Sequence, residues 1–456
     1  MRPLLFGVFA RALPLTMFGP LLPGIASSLG ATLAGVGWIV ATYATGSLLA
    51  QPLMGTLSDA YGRRRVFLWC MALFVLGSCV CAAATSLPLL ITGRVIQAFG
   101  AGGIQPVAAA IIGDALPAER RGAALGLLYA VFGIGTMAGA LIGGAIVAAA
   151  LAAAGHTTGA FAADLRMYPW HPVFVVNIAT GVATMLFARN LPLESRAPNP
   201  ALARSFDVAG ALLIATFAAS LMIAVTRERW ESSTAGLVAF ASLCIFVWHV
   251  RRAKTPLIDP GLFAARGPAM LYGIAVLFGI PSFSLTIYSA TYYIAQFHAS
   301  AAQAGSVLFV LAALYVAGAI AGGALINRFG SRALLAAGAV FVTIAASMLA
   351  GLTSTYDVVA AMALGGLGLG FASAPPNALI LRYAPSSRAG TATGVATMLA
   401  TSGSITAPAV IGAFLAFARS TDPATALRAE FALCAVLAGA CAVAACALPK
   451  PVAVAS

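Results

Sequence analysis

Long apolar runs separated by short polar breaks recur from one end of the chain to the other. A run of about 20 apolar residues, at a helical rise of about 1.5 Å per residue, matches the hydrocarbon core of a bilayer, and a helix satisfies its own backbone there. The runs predict fourteen membrane-spanning helices, at roughly 4–26, 33–55, 65–85, 88–112, 123–150, 172–190, 208–226, 234–250, 269–296, 303–326, 333–352, 357–381, 391–417 and 431–448. No stretch is left for a soluble domain, so the predicted class is an all-α membrane protein.

Composition agrees with the pattern. Of 456 residues, 61% are apolar and 8% charged, too few polar groups to cover the surface of a soluble domain. A net charge of +13 would suggest nucleic acid in a soluble protein, but here the basic residues stand singly or in small groups between apolar runs. Topology accounts for them, and no nucleic acid is expected. With the amino terminus in the cytoplasm, eighteen of the 25 Lys and Arg fall on the inner side. Five fall outside (Arg166, Arg227, Arg229, Arg419, Arg428), and Arg11 and Arg94 lie within spans. That asymmetry puts both termini in the cytoplasm. Met1-Arg2 and the run behind it imitate a signal peptide, but the run is too long and has no convincing cleavage site, so it reads as an uncleaved first span.

The seven cysteines lie inside apolar segments without metal-ligand or disulfide spacing, and neither a metal nor a cofactor is expected. The four histidines are scattered at ends or loops, which argues against a membrane-embedded enzyme. All twelve acids map to loops or span ends, leaving no carboxylate expected in mid-membrane.

The chain also repeats itself. A gapless shift of 268 residues places Gly55-x-Leu57-x-Asp59-x-x-Gly62-x-Arg64 on Gly323-x-Leu325-x-Asn327-x-x-Gly330-x-Arg332. The same register pairs Pro117 with Pro385, Arg120 with Arg388, Gly122 with Gly390, Gly126 with Gly394, Gly135 with Gly403 and Gly144 with Gly412. Both loop copies fall on the cytoplasmic side, so the halves are parallel repeats, an arrangement that puts a substrate site between them. This predicts a six-helix bundle over 1–190, a linker with two extra membrane helices over 191–268 and a second six-helix bundle over 269–456. Polar segments, Asn190 to Phe206 and Arg251 to Pro268, flank the extra pair as linkers.

Several residues invite chemistry. In Gly55-Thr-Leu-Ser-Asp-Ala-Tyr-Gly-Arg-Arg-Arg65 the glycines allow a tight turn, Asp59 can cap or pair, and the arginines can bond helix C-terminal carbonyls. Arg94 lies about 9 Å into its span, where a charge faces a cavity or partner or snorkels to the headgroups. Gly135, Gly139 and Gly143 stand four apart on one helix face, with Gly144 beside them, as in close helix packing. Ser284, Tyr288, Tyr292 and Gln296 form a polar stripe at intervals of four, read either as cavity lining or, at its outer end, as an interfacial tyrosine belt.

The loop between spans 2 and 3, with its weaker echo in the second half, resembles the signature of the major facilitator superfamily. The resemblance implies a gate at the cytoplasmic side formed by Gly55, Asp59, Gly62, Arg63 and Arg64, with Gly323, Asn327, Gly330 and Arg332 as the second copy. Arg94-Val-Ile-Gln97 resembles a second family motif, implying coupling or substrate contact for Arg94 and Gln97. The Gly135–Gly144 segment resembles the motif of the family's antiporters, but with Ala140 where proline is usual, and plain helix packing stays equally open. Fourteen spans and the Pro256-Leu-Ile-Asp-Pro-Gly-Leu-Phe263 segment resemble the fourteen-span drug:proton antiporter branch. That branch often has an acid in span 1, whereas here Leu13-Pro14-Leu15-Thr16 carries proline instead. The resemblance to this branch implies proton-coupled efflux of drugs or toxic compounds across a bacterial-type inner membrane, with a small-molecule substrate, protons and the bilayer as partners. A narrow metabolite or organic-anion transporter, or a channel, are the alternatives.

Overall fold

The structure, a computed structural model, describes residues 1–18, 21–31, 33–156, 159–189, 207–226, 229–253, 256, 261–299, 301–351, 354–384, 388–418 and 423–449. The linker expected at Asn190 to Phe206, the side chain of Ala140 and Leu257 to Pro260 lie outside the described residues. Among the described residues there are eighteen helices and no strand. The first eight are α1 (Arg2–Met17), α2 (Leu22–Ser28), α3 (Leu33–Tyr61), α4 (Arg63–Ala82), α5 (Leu87–Ala115), α6 (Ala118–His156), α7 (Ala160–Met167) and α8 (His171–Ala188). Then come α9 (Val208–Thr226), α10 (Arg229–Arg252), α11 (Gly261–Ala264), α12 (Arg266–Phe297) and α13 (Ala301–Phe329). The chain finishes with α14 (Ser331–Ala350), α15 (Thr355–Ser373), α16 (Pro375–Tyr383), α17 (Ala389–Ala418) and α18 (Pro423–Cys446).

Each expected apolar stretch is helical to within a few residues, with three departures. The first stretch is two helices, α1 and α2. The stretch at 357–381 breaks between α15 and α16, where Pro375 stands in the first turn of the new helix and its missing N–H costs nothing. The last helix begins at Pro423, eight residues before the expected start at 431. Ten helices among the described residues are long and apolar enough to cross a membrane. Their outer surface is apolar too. Leu237 and Phe240 on α10 and Val436 and Val443 on α18 are about seven-tenths exposed (68–72%), a pattern that lipid tolerates and water does not.

The chain divides into two compact units, residues 1–111 with 131–206, and residues 112–130 with 207–456. The end of α5 and the first turns of α6 thus belong to the second unit.

In the first unit α4 packs on α8 and α3, and α1 on α8. Phe18, Phe67, Phe74, Trp170 and Phe174 fill its core. α4 and α5 touch backbone to backbone, because Gly100 lets its helix approach Phe74: a methyl group there would stand 2.9 Å from the Phe74 Cα.

In the second unit α13 and α14 pack on α15, while α12 packs on α17 and α18 and α14 on α18. The core joins Leu285, Tyr292, Val342, Met362 and Phe431. The extra pair, α9 and α10, pack on each other. Asp207 accepts the Gly210 N–H at 2.7 Å, which caps α9, and also faces His249 Nε2 at 2.7 Å. Since His249 is near the end of α10, the two helices run antiparallel, as a hairpin.

Candidate functional site

The turn between α3 and α4 is built by one residue that only glycine fits comfortably. Gly62 has φ +102°, a conformation that side chains resist, and it reverses the chain within one residue so that α4 starts at Arg63. Arg63 is buried and folds back onto α3, pairing with the Asp59 carboxylate and donating to Ser58 Oγ at 2.9 Å. Ser58 Oγ in turn donates to the Gly55 carbonyl at 2.7 Å. Arg64 points the other way and donates to the Arg189 carbonyl at the end of α8, where a cation meets the negative end of the helix. Gly55, Asp59, Gly62, Arg63 and Arg64 therefore fasten α3, α4 and α8 together.

The second copy has the same backbone and different partners. Gly330, φ +81°, starts α14 as Gly62 starts α4. Asn327 does not close on its own loop; its amide donates to the Glu119 carbonyl in the first turn of α6. Arg332 lies half-buried beside Tyr383 of α16. One turn before Asn327, Gly323 meets Gly122 and Gly126 backbone to backbone, and the Ile326 side chain of α13 packs on Gly122. A methyl group on Gly323 would lie 2.7 Å from the Gly126 Cα and 2.7 Å from the Gly122 carbonyl oxygen. Nearby, the Asn377 amide of α16 donates to the Tyr129 hydroxyl of α6. Residues 112–130 are thus clasped by α13 and α16.

Arg94 in α5 does not snorkel: it is 1% exposed and enclosed by protein. Its guanidinium lies over the rings of Tyr43 (4.0 Å) and Phe18 (4.3 Å) and donates to Gln97 Oε1 at 2.7 Å. Gln97 passes the chain on to Ser78 Oγ at 2.7 Å. Among the described residues no carboxylate pairs with Arg94, so its charge is held by ring faces and neutral dipoles. Arg11 in α1 is buried as well, bonded to Gln105 and 5.3 Å above the Phe132 ring.

The glycine stripe of α6 packs on α1. A methyl group at Gly135 would meet the Ala12 Cβ at 2.6 Å, and one at Gly143 the Met17 Cγ at 2.8 Å. At Gly139 it would strike the Leu13 carbonyl and the Thr16 hydroxyl. Gly144 lies off this seam, exposed, with open space where a side chain would be.

The polar stripe of α12 faces α18. Tyr292 is buried, stacks at a tilt on Phe431 (centroids 5.5 Å apart) and receives the Arg428 Nε–H at 3.0 Å. Ser284 and Tyr288 lie beside Glu430 of α18, while Gln296 is half-buried at the stripe's outer end. Glu430 is 1% exposed, which corrects the expectation that every acid sits in a loop or at a span end: α18 starts early enough to carry it inside. Thr421-Asp422-Pro423 is the signal for that start, since acid-then-proline marks a helix N-terminus. Phe18, Tyr43, Ser78 and Gln105 carried no such signal.

The family model described as Major Facilitator Superfamily matches residues 4–408 and, in a second match, 271–456. Multidrug resistance protein 3 of Bacillus subtilis (strain 168) is 28% identical over 378 residues, 81% of this chain and 70% of that protein. Riboflavin transporter RibZ of Clostridioides difficile (strain 630) is 26% identical over 393 residues, 84% of this chain and 80% of the relative. Among solved structures, the human organic anion transporter MFSD10 (TETRAN) superposes with a TM-score of 0.67 at 18% identity, covering 96% of this chain and 98% of its own, a likeness of fold. With both halves matched and the fold shared, the chain belongs to the Major Facilitator Superfamily of membrane transporters.

Proposed function

We propose that this protein is a secondary active transporter that exports drugs or toxic small molecules by alternating access, driven by proton entry. The observation that carries the reading is the clasp between α6 and α13. Gly122 and Gly126 meet Gly323 backbone to backbone, with the Ile326 side chain against Gly122, and a seam held by close backbone contact, one side chain and one amide hydrogen bond is firm when closed yet has little to unpack when it parts. A transporter gate needs that combination. The likeness to Multidrug resistance protein 3 supports efflux and a drug-like cargo. On this reading the chain crosses a bacterial-type inner membrane fourteen times with both termini in the cytoplasm, and residues 1–190 and 269–456 are its two repeats around the inserted hairpin.

A second reading is favoured by one observation. Arg94 is a buried cation that no described carboxylate neutralises, which suits an anionic or neutral cargo better than a cationic one. The likeness to a riboflavin transporter points the same way, toward a narrow metabolite.

One experiment separates them. A bacterial host stripped of its own efflux pumps is loaded with a cationic dye or an anionic dye, and loss of dye is followed with and without an uncoupler. Uncoupler-sensitive loss supports proton-linked efflux and names the preferred charge. Loss no faster than the empty host for every dye retires the multidrug reading in favour of the narrow one.

A further inference from the structure

Glu430 is the one described acid of α18, and its surroundings are built without a counter-charge. The residue is 1% exposed, and neither carboxylate oxygen has a hydrogen-bond partner among the described residues. Beside it, across the α12–α18 seam, the Ser284 hydroxyl is fully buried and equally without a partner. The Ser284 O–H can turn to donate to one carboxylate oxygen, but a neutral hydroxyl leaves the second oxygen unanswered and the buried negative charge without a counter-charge. A proton on the carboxylate removes that charge and gives the acid an O–H of its own, which Ser284 Oγ can accept.

The other neighbours leave that role to the proton. From α12, Tyr288 and Tyr292 face the site, and Tyr292 is occupied by Arg428. Arg428 is only two residues from Glu430 on the same helix, a spacing that points side chains apart, and the two form no ion pair. From α14 the facing residues are Val342, Ala345, Ala346 and Leu349, all apolar, and its only charged residue, Arg332, sits at the first turn. α17 has no titratable residue at all. Cys434 lies one turn further along α18. A metal cation would find one carboxylate and two or three hydroxyls here, fewer oxygens than hard cations take.

We propose that Glu430, with Ser284 and Tyr288, is a proton-binding site and carries the coupled proton. The Glu430 carboxylate takes a proton from water at the outer end of α18, forming O–H, and returns it to water on the cytoplasmic side when the transporter turns over. This rests on the proposal of proton-coupled efflux, so its test has an arm that does not need transport.

Full-length wild type, E430Q and E430D are purified. In proteoliposomes carrying ethidium, E430Q is expected to lose gradient-driven transport at least about tenfold while gradient-free ethidium exchange stays within about twofold, roughly 0.4 kcal/mol. E430D is expected to keep partial coupling. In parallel, infrared difference spectra taken across the neutral pH range are expected to show a carboxylic-acid carbonyl band in wild type that E430Q lacks and Ser284→Ala shifts. Gradient-driven transport by E430Q at the wild-type rate overturns the proposal. So does a wild type with no band that E430Q removes. A wild type that moves no ethidium yet shows the band supports the protonation site and counts against broad efflux alone.

Discussion

Adding a single methyl group at Gly323 tests whether the α6–α13 seam is a working gate. In Gly323→Ala the new Cβ would stand 2.7 Å from the Gly126 Cα and 2.7 Å from the Gly122 oxygen, whereas carbon atoms rest about 3.5–4.0 Å apart. Both obstacles are backbone, so no rotamer change relieves them, and the helices must separate by roughly 1 Å. Overpacking of this kind costs about 1–3 kcal/mol. If the seam parts during the transport cycle, the cost falls only on the clasped state and shifts the equilibrium toward the parted one by roughly 5- to 150-fold. Ile326 reports the shift, because it is 3% exposed and packs against Gly122. Ile326→Cys is labelled with a membrane-impermeant maleimide in inside-out vesicles, and labelling is read peptide by peptide so that the native cysteines stay in place. The rate is expected to rise about tenfold when Gly323→Ala is added, about 1.4 kcal/mol. An unchanged rate in a variant that still purifies as a monodisperse protein refutes the reasoning, because it means the methyl group is absorbed without parting the helices.

The same contacts set three further outcomes. Arg94→Lys keeps the charge but forfeits the stacking on Tyr43 and Phe18 and the planar fork toward Gln97, so the detergent-purified protein is expected to lose about 1–3 kcal/mol in a thermal-unfolding series, and Arg94→Ala more; equal melting for all three contradicts the cage. Gly139→Ala is expected to cost about 1–3 kcal/mol against α1, while Gly144→Ala, which meets open space, is neutral or stabilising by up to about 1 kcal/mol through helix propensity, and matching losses at both positions would show that the seam is misplaced. Asn327→Asp turns a donor into an acceptor against the Glu119 carbonyl, costing about 1–3 kcal/mol, and is expected to raise Ile326→Cys labelling as Gly323→Ala does, whereas a rate below that of the parent counts against the hydrogen bond.

The helices were legible in the sequence because a bilayer imposes one length and one composition on them, and α13, for example, begins and ends within three residues of the expected 303–326. The two glycine turns were legible because two copies of the same glycine spacing lie 268 residues apart. Their partners were not. The repeat pairs Gly122 with Gly390 and Gly323 with Gly55, but in space Gly323 meets Gly122 and Gly126; symmetry relates equivalent positions, and contacts join inequivalent ones. Tyr43 and Phe18 were invisible as a cage for Arg94 because an aromatic residue in an apolar run looks the same whether it faces lipid, core or cation. Gln105 binds Arg11 from 94 residues away, beyond any local pattern. Glu430 was misplaced by a boundary alone: hydropathy begins the last span where charge ends, but a helix begins where its cap begins, and one carboxylate falls between the two.

The two copies of the glycine loop show what a repeat keeps and what it gives up. Both keep a glycine with positive φ, since the reversal from one helix into the next depends on backbone geometry and tolerates no Cβ without strain. The polar residue three positions earlier has diverged, Asp59 in one copy and Asn327 in the other. Each suits its own partner. Asp59 faces the Arg63 guanidinium with its side chain 1% exposed, where a neutral amide would remove the carboxylate half of a buried ion pair, a change that costs about 3–5 kcal/mol. Asn327 faces a carbonyl oxygen, an acceptor that a carboxylate would repel and an amide can bond. An ion pair in the first copy therefore fixes α3 to α4 within one stretch of chain, whereas a neutral hydrogen bond in the second joins residues 208 apart in sequence. The ionic copy is local, and the neutral copy is long-range.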